Sequence, residues 1–204
     1  MQLIGMLDSP YVRRVAVSLT LLGVPFEHRP ISVFRAFDAF AAINPVVKAP
    51  SLVCDDGEVL MDSTLILQYA DSLADGKRRL MPTARGEMQH ELRLIGLALA
   101  ACEKSVQIVY ERNLRPPEKQ HEPWVERVRG QLGAAYRALE AEWVERPLAV
   151  TSGSISQAGV SAAVGWQFTQ ALLPGIVSES AHPLLVAHSA AAEALPEFRA
   201  YPPC

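Results

Sequence analysis

The sequence predicts a chain in two parts, an α/β first part with the order β-α-β-α-β-β-α and an all-helical second part. Three observations predict it. Short apolar runs alternate with amphipathic helical patterns up to about residue 75. A polar stretch, Asp75-Gly76-Lys77-Arg78-Arg79, then interrupts the pattern. Beyond it, apolar residues recur every three or four positions. The expected boundaries are 1–76 for the α/β domain, 77–86 for a linker containing Pro82, and 87–204 for the helical domain.

The elements follow in order. Gln2 to Met6 is a short apolar run and reads as a buried strand. Asp8-Ser9-Pro10 is a helix start, because Ser9 can cap and Pro10 suits the first helical position. Val12, Val15, Ala16, Leu19 and Leu22 form one helical face, and Gly23 followed by Pro25 ends it. A second strand near Glu27–Ile31 leads to a short helix over Ala36–Ala42, which Asn44-Pro45 breaks. Ser51–Cys54 and Glu58–Met61 flank Asp55-Asp56-Gly57 as a hairpin, and Asp62-Ser63 caps a helix whose face is Leu65, Ile66, Tyr69 and Leu73. In the second part, Leu92 to Val109 and Trp124 to Trp143 mark two long helices. Two more are expected near 158–173 and 183–195, separated by Pro174-Gly175.

Composition narrows the function. Half of the 204 residues are hydrophobic and 20% are charged, which is the make-up of a folded chain rather than a disordered one. A net charge of −3 supplies no basic field for nucleic acid or an anionic membrane. Residues 1–76 carry five Lys/Arg against nine Asp/Glu, so an anionic ligand there requires helix N-termini or single placed cations. The longest apolar run, Leu94–Cys102, is too short to cross a bilayer, and no cleavable leader is seen at the N-terminus. Cys54, Cys102 and Cys204 are odd in number and lack metal spacing, so free thiols in a reducing cytoplasm are expected. The five histidines form no pair at metal spacing, and no metal is expected.

Three motifs carry chemistry. They are Ser9-Pro10-Tyr11-Val12-Arg13-Arg14-Val15 at a strand-to-helix junction, Asn44-Pro45-Val46-Val47-Lys48-Ala49-Pro50-Ser51-Leu52 leading into a strand, and Met61-Asp62-Ser63-Thr64 opening a helix. In this order and spacing the first domain resembles the thioredoxin-like domain of the cytosolic glutathione S-transferases. The helical part resembles that family's second domain, so the likeness spans the chain.

The resemblance implies an enzyme that binds glutathione as co-substrate and activates its thiol for attack on a small hydrophobic electrophile. It also implies a symmetric homodimer. The alternative is a glutathione-binding or regulatory protein of the same fold with little turnover. Ser9 is the implied thiolate-stabilising hydroxyl; as a plain helix cap it would contribute only ~1 kcal/mol to the helix. Pro50 matches the family's cis-proline, which exposes the Ala49 N–H and C=O to the cysteinyl unit. Without the family context, Ala49-Pro50 reads as a trans proline starting a strand. Asp62 and Ser63 match the pair that takes the γ-glutamyl end, or are an ordinary cap. Lys48, and Arg35 at the far end of the site, are the implied charges for the glycyl carboxylate, the alternative for Lys48 being a solvated loop lysine. Tyr11 is expected to pack, and Tyr110 and Trp166 are candidates for an electrophile pocket between domains, with core packing the preferred reading of each. Arg13 and Arg14 are placed on the polar side of the first helix, as either interface or solvated charges.

Two positions depart from the family pattern. Val47 stands where many relatives have Gly. Gly159 stands where the capping box Ser/Thr-x-x-Asp has its acid, so Ser156 is left without the reciprocal bond. The electrophile corresponds to no motif.

Overall fold

A computed structural model describes residues 1–74 and 78–203. Asp75, Gly76 and Lys77, which carry the expected domain boundary, lie outside the described residues, as does the Cys204 thiol. The chain forms two compact units. One is Met1–Leu80 together with Ala194–Cys204, and the other is Met81–Glu193.

The first unit is built on a four-stranded sheet of β1 (Gln2–Ile4), β2 (Glu27–Arg29), β3 (Ser51–Val53) and β4 (Val59–Met61), in the order β2-β1-β3-β4. β1 pairs parallel with β2 and antiparallel with β3, which places Leu3 between His28 and Leu52. β3 and β4 close as the expected hairpin. The connecting helices are α1 (Pro10–Leu22), α2 (Phe37–Ala41) and α3 (Ser63–Leu73), and α1 packs against α3. Ser9 caps α1, Pro10 occupies its first turn, and Gly23 ends it in the left-handed conformation (φ 69°), as the sequence predicts. Leu3, Ile4, Val12, Val15, Leu19, Leu52 and Ile66 are fully buried and form the core.

Of the two alternatives for the arginines of α1, the solvated one is excluded. Arg13 and Arg14 are not on a solvated face; they are 1% and 2% exposed. Arg13 Nε donates to the Tyr201 carbonyl (2.8 Å), and its guanidinium lies 5.6 Å from the centre of the Phe198 ring. Both partners come from residues 194–203, which the sequence reading places in the helical domain. The helix expected over 183–195 instead ends at Glu193, and a separate helix follows over Pro196–Arg199. Pro196 disfavours helical geometry at Leu195, which is extended (φ −69°, ψ 145°), so the chain turns there. Phe198 is then fully buried, and Tyr201 stacks on Phe26 at 5.6 Å.

The second unit contains α4 (Arg85–Asn113), α5 (Glu122–Glu145), α6 (Gln157–Leu172) and α7 (Pro183–Glu193); the helix over Pro196–Arg199 in the first unit is α8. α4 packs against α5 and α6, and α7 against α5 and α6. Leu94, Ile108, Leu132, Leu139 and Leu185 line this core. α6 is buried on almost every side, which its small residues permit: a Cβ on Gly165 would meet Cys102 Sγ at 2.8 Å. One polar cluster inside is bonded through Thr169. Tyr136 Oη and Ser105 Oγ each lie 2.7 Å from Thr169 Oγ1, which bonds the Gly165 carbonyl. Burial pushes the Tyr136 hydroxyl well above its ordinary pKa, so it stays neutral.

The start of α6 resolves the missing capping box. Ser156 Oγ accepts the Gly159 N–H at 3.2 Å, which is the half of the motif that the sequence retains. The acid comes from another helix: Glu91 of α4, 6% exposed, accepts the Ala158 N–H at 2.6 Å. Position 159 has little room for a side chain. A Cβ there would lie 3.0 Å from Ile155 Cγ1 and 3.2 Å from His188 Cε1. His188 covers this glycine and bonds its carbonyl at 2.9 Å, and burial lowers the imidazole pKa below its ordinary value.

Among the described residues, no helix is long and apolar enough to cross a membrane. Nor does any group of three or more His, Cys, Asp or Glu side chains among them come together as metal ligands.

Candidate functional site

β1 stops at Gly5, whose φ of 140° is open to glycine and strained for other residues. A Cβ here would lie 2.6 Å from Val12 Cγ2 and 3.1 Å from Ala49 Cβ. The first turn of α1 and the loop that precedes β3 both close on this residue, so two of the three motifs meet at one glycine. Gly5 itself is fixed by its N–H to the Arg29 carbonyl (3.1 Å) and by His28 Nε2 at 2.8 Å from its carbonyl.

Ser9 is half-buried at the N-cap of α1. Its Oγ accepts the Val12 N–H at 3.4 Å, a long and therefore weak bond. Capping uses a lone pair of the hydroxyl and leaves its proton available to donate, so the cap and donor roles do not compete. The first turn holds no acidic residue to oppose an anion, and Pro10 removes one of the unpaired N–H groups.

The second motif forms the loop before β3. Asn44 is 5% exposed and holds the loop from inside. Val47 adopts φ 52°, the left-handed region, and Ala49–Pro50 is cis. Lys48 is exposed, and its carbonyl accepts from Ser51 Oγ at 2.8 Å. A β-branched residue at positive φ costs about 1–2 kcal/mol, and asparagine tolerates that region better. Val47→Asn is therefore expected to stabilise the protein by ~1 kcal/mol and raise its midpoint by about 2–4 °C in scanning calorimetry. A midpoint at or below that of the parent would show that no strain is stored there.

The third motif opens α3. Asp62 sits at φ 75° and ψ 123°, and its Oδ1 accepts the N–H groups of Thr64 (2.8 Å) and Leu65 (3.4 Å). The Ser63 N–H is not among those Asp62 caps. Ser63 is 4% exposed, and Arg14 Nη1 donates to its Oγ at 2.9 Å and to Thr64 Oγ1 at 3.2 Å. A guanidinium only donates, so these hydroxyls accept from it and have their own protons to give elsewhere. The sequence reading missed Arg14. It falls among apolar helical positions, and nothing local marks it as facing Ser63, 49 positions away.

Arg35 belongs to none of the three motif segments. It is exposed in the turn before α2, where Ser32 Oγ accepts the N–H groups of Phe34 and Arg35. Trp166 packs in the second core, edge-on to Tyr136 at 5.1 Å. Tyr110, expected to pack, is 45% exposed. Tyr11 is half-buried. The buried Cys54 is no candidate nucleophile, because burial pushes its thiol pKa up although Tyr69 bonds it.

A sheet unit of this topology with an all-helical unit is the glutathione transferase fold, a thioredoxin-like domain plus helical domain. The family model for the glutathione S-transferase N-terminal domain matches residues 3–78. A glutathione transferase family member from Pseudomonas fluorescens Pf-5, solved with bound glutathione, is 30% identical. It covers 100% of this chain and 98% of its own, with a TM-score of 0.87. Another structure of a family member from that organism, with bound S-(propanoic acid)-glutathione, is 29% identical with a TM-score of 0.84, over 100% of both chains. The uncharacterized GST-like protein YibF of Escherichia coli K12 is 26% identical over 182 residues, 89% of each chain. The chain belongs to the glutathione S-transferase family.

Proposed function

We propose that this protein binds glutathione on its first unit and activates the thiol for attack on a small hydrophobic electrophile. The observation that carries the reading is the junction at Gly5, on which the turn bearing Ser9 and the loop bearing Ala49 both close. Ser9 donates to the sulfur of the bound thiolate, beside the N–H groups of the first turn of α1. A free thiol has a pKa of ~8.5, and a helix N-terminus lowers it by one to several units. The Ala49 N–H and C=O pair with the cysteinyl unit as a sheet edge pairs with an added strand. The Ser63 hydroxyl and N–H take the γ-glutamyl carboxylate, and Asp62 takes its ammonium. Lys48, with Arg35 at the far end, faces the glycyl carboxylate.

In the reaction the thiol proton passes to solvent and the sulfur lone pair forms the new C–S bond. A leaving group such as halide departs with its bonding pair. The bound S-(propanoic acid)-glutathione of the Pseudomonas relative, a thioether of glutathione, supports this bond-forming class. The free thiols Cys54 and Cys102 fit a reducing cytoplasm. The protein works as a two-fold homodimer; sedimentation that finds only the 22.3 kDa chain at micromolar concentrations overturns that part.

Calorimetric titration tests the reading directly. Glutathione is expected to bind with a Kd in the micromolar to millimolar range, about −4 to −8 kcal/mol, and to raise the melting temperature. No heat and no thermal shift at several millimolar ligand would remove glutathione from the account. Binding without turnover of an aromatic halide would leave a binding protein and no transferase.

A further inference from the structure

We propose that Ser51, held by Asn44, is the positioning residue that aims the Ala49 N–H at the cysteinyl part of glutathione. The proposal rests on the glutathione reading above and deepens it. Asn44 Nδ2 donates to Ser51 Oγ at 2.8 Å, and Ser51 Oγ donates to the Lys48 carbonyl at 2.8 Å. The direction of this relay is fixed by chemistry: an amide NH₂ only donates and a carbonyl only accepts. The hydroxyl between them therefore accepts from Asn44 and gives its proton to Lys48.

The consequence falls on the next N–H. Among the described residues the one cis bond is Ala49–Pro50, so the Lys48–Ala49 peptide is trans. In a planar trans peptide the C=O and N–H point in opposite directions. Drawing the Lys48 carbonyl onto Ser51, which is fully buried, turns the Ala49 N–H to the opposite side. Ser51 thus sets the orientation of this peptide from within the fold.

Asn44 serves the same end with its remaining groups. Its Oδ1 accepts the Val46 N–H at 3.0 Å, and its carbonyl accepts the Val47 N–H at 2.9 Å, which closes the turn at Val47. Its Nδ2 also reaches Met61 Sδ at 3.6 Å, one residue before Asp62. A single buried amide therefore links the Lys48–Ala49 loop to the strand that delivers Asp62 and Ser63.

Amide exchange in the unmodified protein, followed by NMR, gives the first test. The Ala49 N–H is expected to exchange freely without glutathione and at least about ten-fold more slowly with it. Slow exchange without ligand, or no protection by it, overturns the proposal. Ser51→Ala and Asn44→Asp then remove the relay, the second with almost no change of shape. Both are expected to raise the glutathione Kd and KM by roughly ten-fold while kcat changes by less than about two-fold. Ser51→Cys, a weaker donor, should fall between parent and alanine. Parental Kd and KM in both variants, or a loss confined to kcat, overturns the assignment. The Ala49 amide resonance of ligand-free Ser51→Ala should also shift, and an unmoved resonance counts against the proposal whether or not glutathione binds. Absence of glutathione heat in the parent protein is a failure of the glutathione reading instead.

Discussion

Glu91→Ala is expected to destabilise the protein by about 2–3 kcal/mol, seen as a fall of roughly 5–10 °C in the unfolding midpoint. Its carboxylate accepts the Ala158 N–H at 2.6 Å, at the N-terminus of a helix buried on nearly all sides. Three effects add. A charge-assisted hydrogen bond is lost, a buried N–H is left without its acceptor, and the favourable charge at the positive end of α6 disappears. Glu91→Gln keeps an acceptor and loses the charge, so it should cost about half as much. Urea unfolding of the three proteins separates these contributions. Two variants within about 0.5 kcal/mol of the parent would show that α6 does not depend on Glu91. Gly159→Asp should not rescue the loss, since its Cβ would press on Ile155 and His188.

Ser9→Ala is expected to lower the glutathione conjugation rate at neutral pH by ten-fold or more. A hydrogen bond to a charged group is worth ~1.5–3 kcal/mol, which corresponds to about one to two units of thiol pKa. The pH–rate profile should shift to higher pH by that amount while the glutathione Kd changes little. Because the Ser9 cap is long at 3.4 Å, the stability cost should not exceed ~1 kcal/mol. The discriminating readout is the pH profile. A cap-only serine changes the melting temperature and leaves the profile in place, and that result would take Ser9 out of the chemistry.

These two residues mark how far the sequence could be read. Ser9 was legible because capping is local: Ser-Pro before an apolar periodic run specifies a helix start within a few residues. Gly23, the hairpin at Asp55-Asp56-Gly57 and the Asp62 cap were legible for the same reason. Gly159 was legible only as a vacancy in the capping box. The acid that replaces it is on α4, 67 positions before the Ala158 N–H it accepts, and no local pattern connects Glu91 to Ala158. Arg13 and Arg14 were left between two alternatives for a related reason. Helical periodicity assigns charged residues to solvent, but α1 is enclosed by α3, the sheet and α8, and buried carbonyls and hydroxyls receive its guanidiniums. The break at Leu195-Pro196 was present in the sequence, whereas the side to which the segment after it would pack was not. Of the candidate site residues, Ser9, Lys48, Ala49, Pro50, Asp62 and Ser63 fall on the three motif segments within one unit, and Arg35 is on the turn before α2 in the same unit.

The return of residues 194–203 to the first unit has a consequence for synthesis on the ribosome. Residues 1–80 emerge first, yet Phe198 and the Tyr201 carbonyl that meets Arg13 are translated only after the whole helical unit. At cellular elongation rates that interval is on the order of ten seconds. During it α1 holds its arginines without the carbonyls of the last segment, and the face that Phe198 will cover stays open. The sheet unit begins first and is completed last, so its final stability is acquired only when the helical unit has already been made.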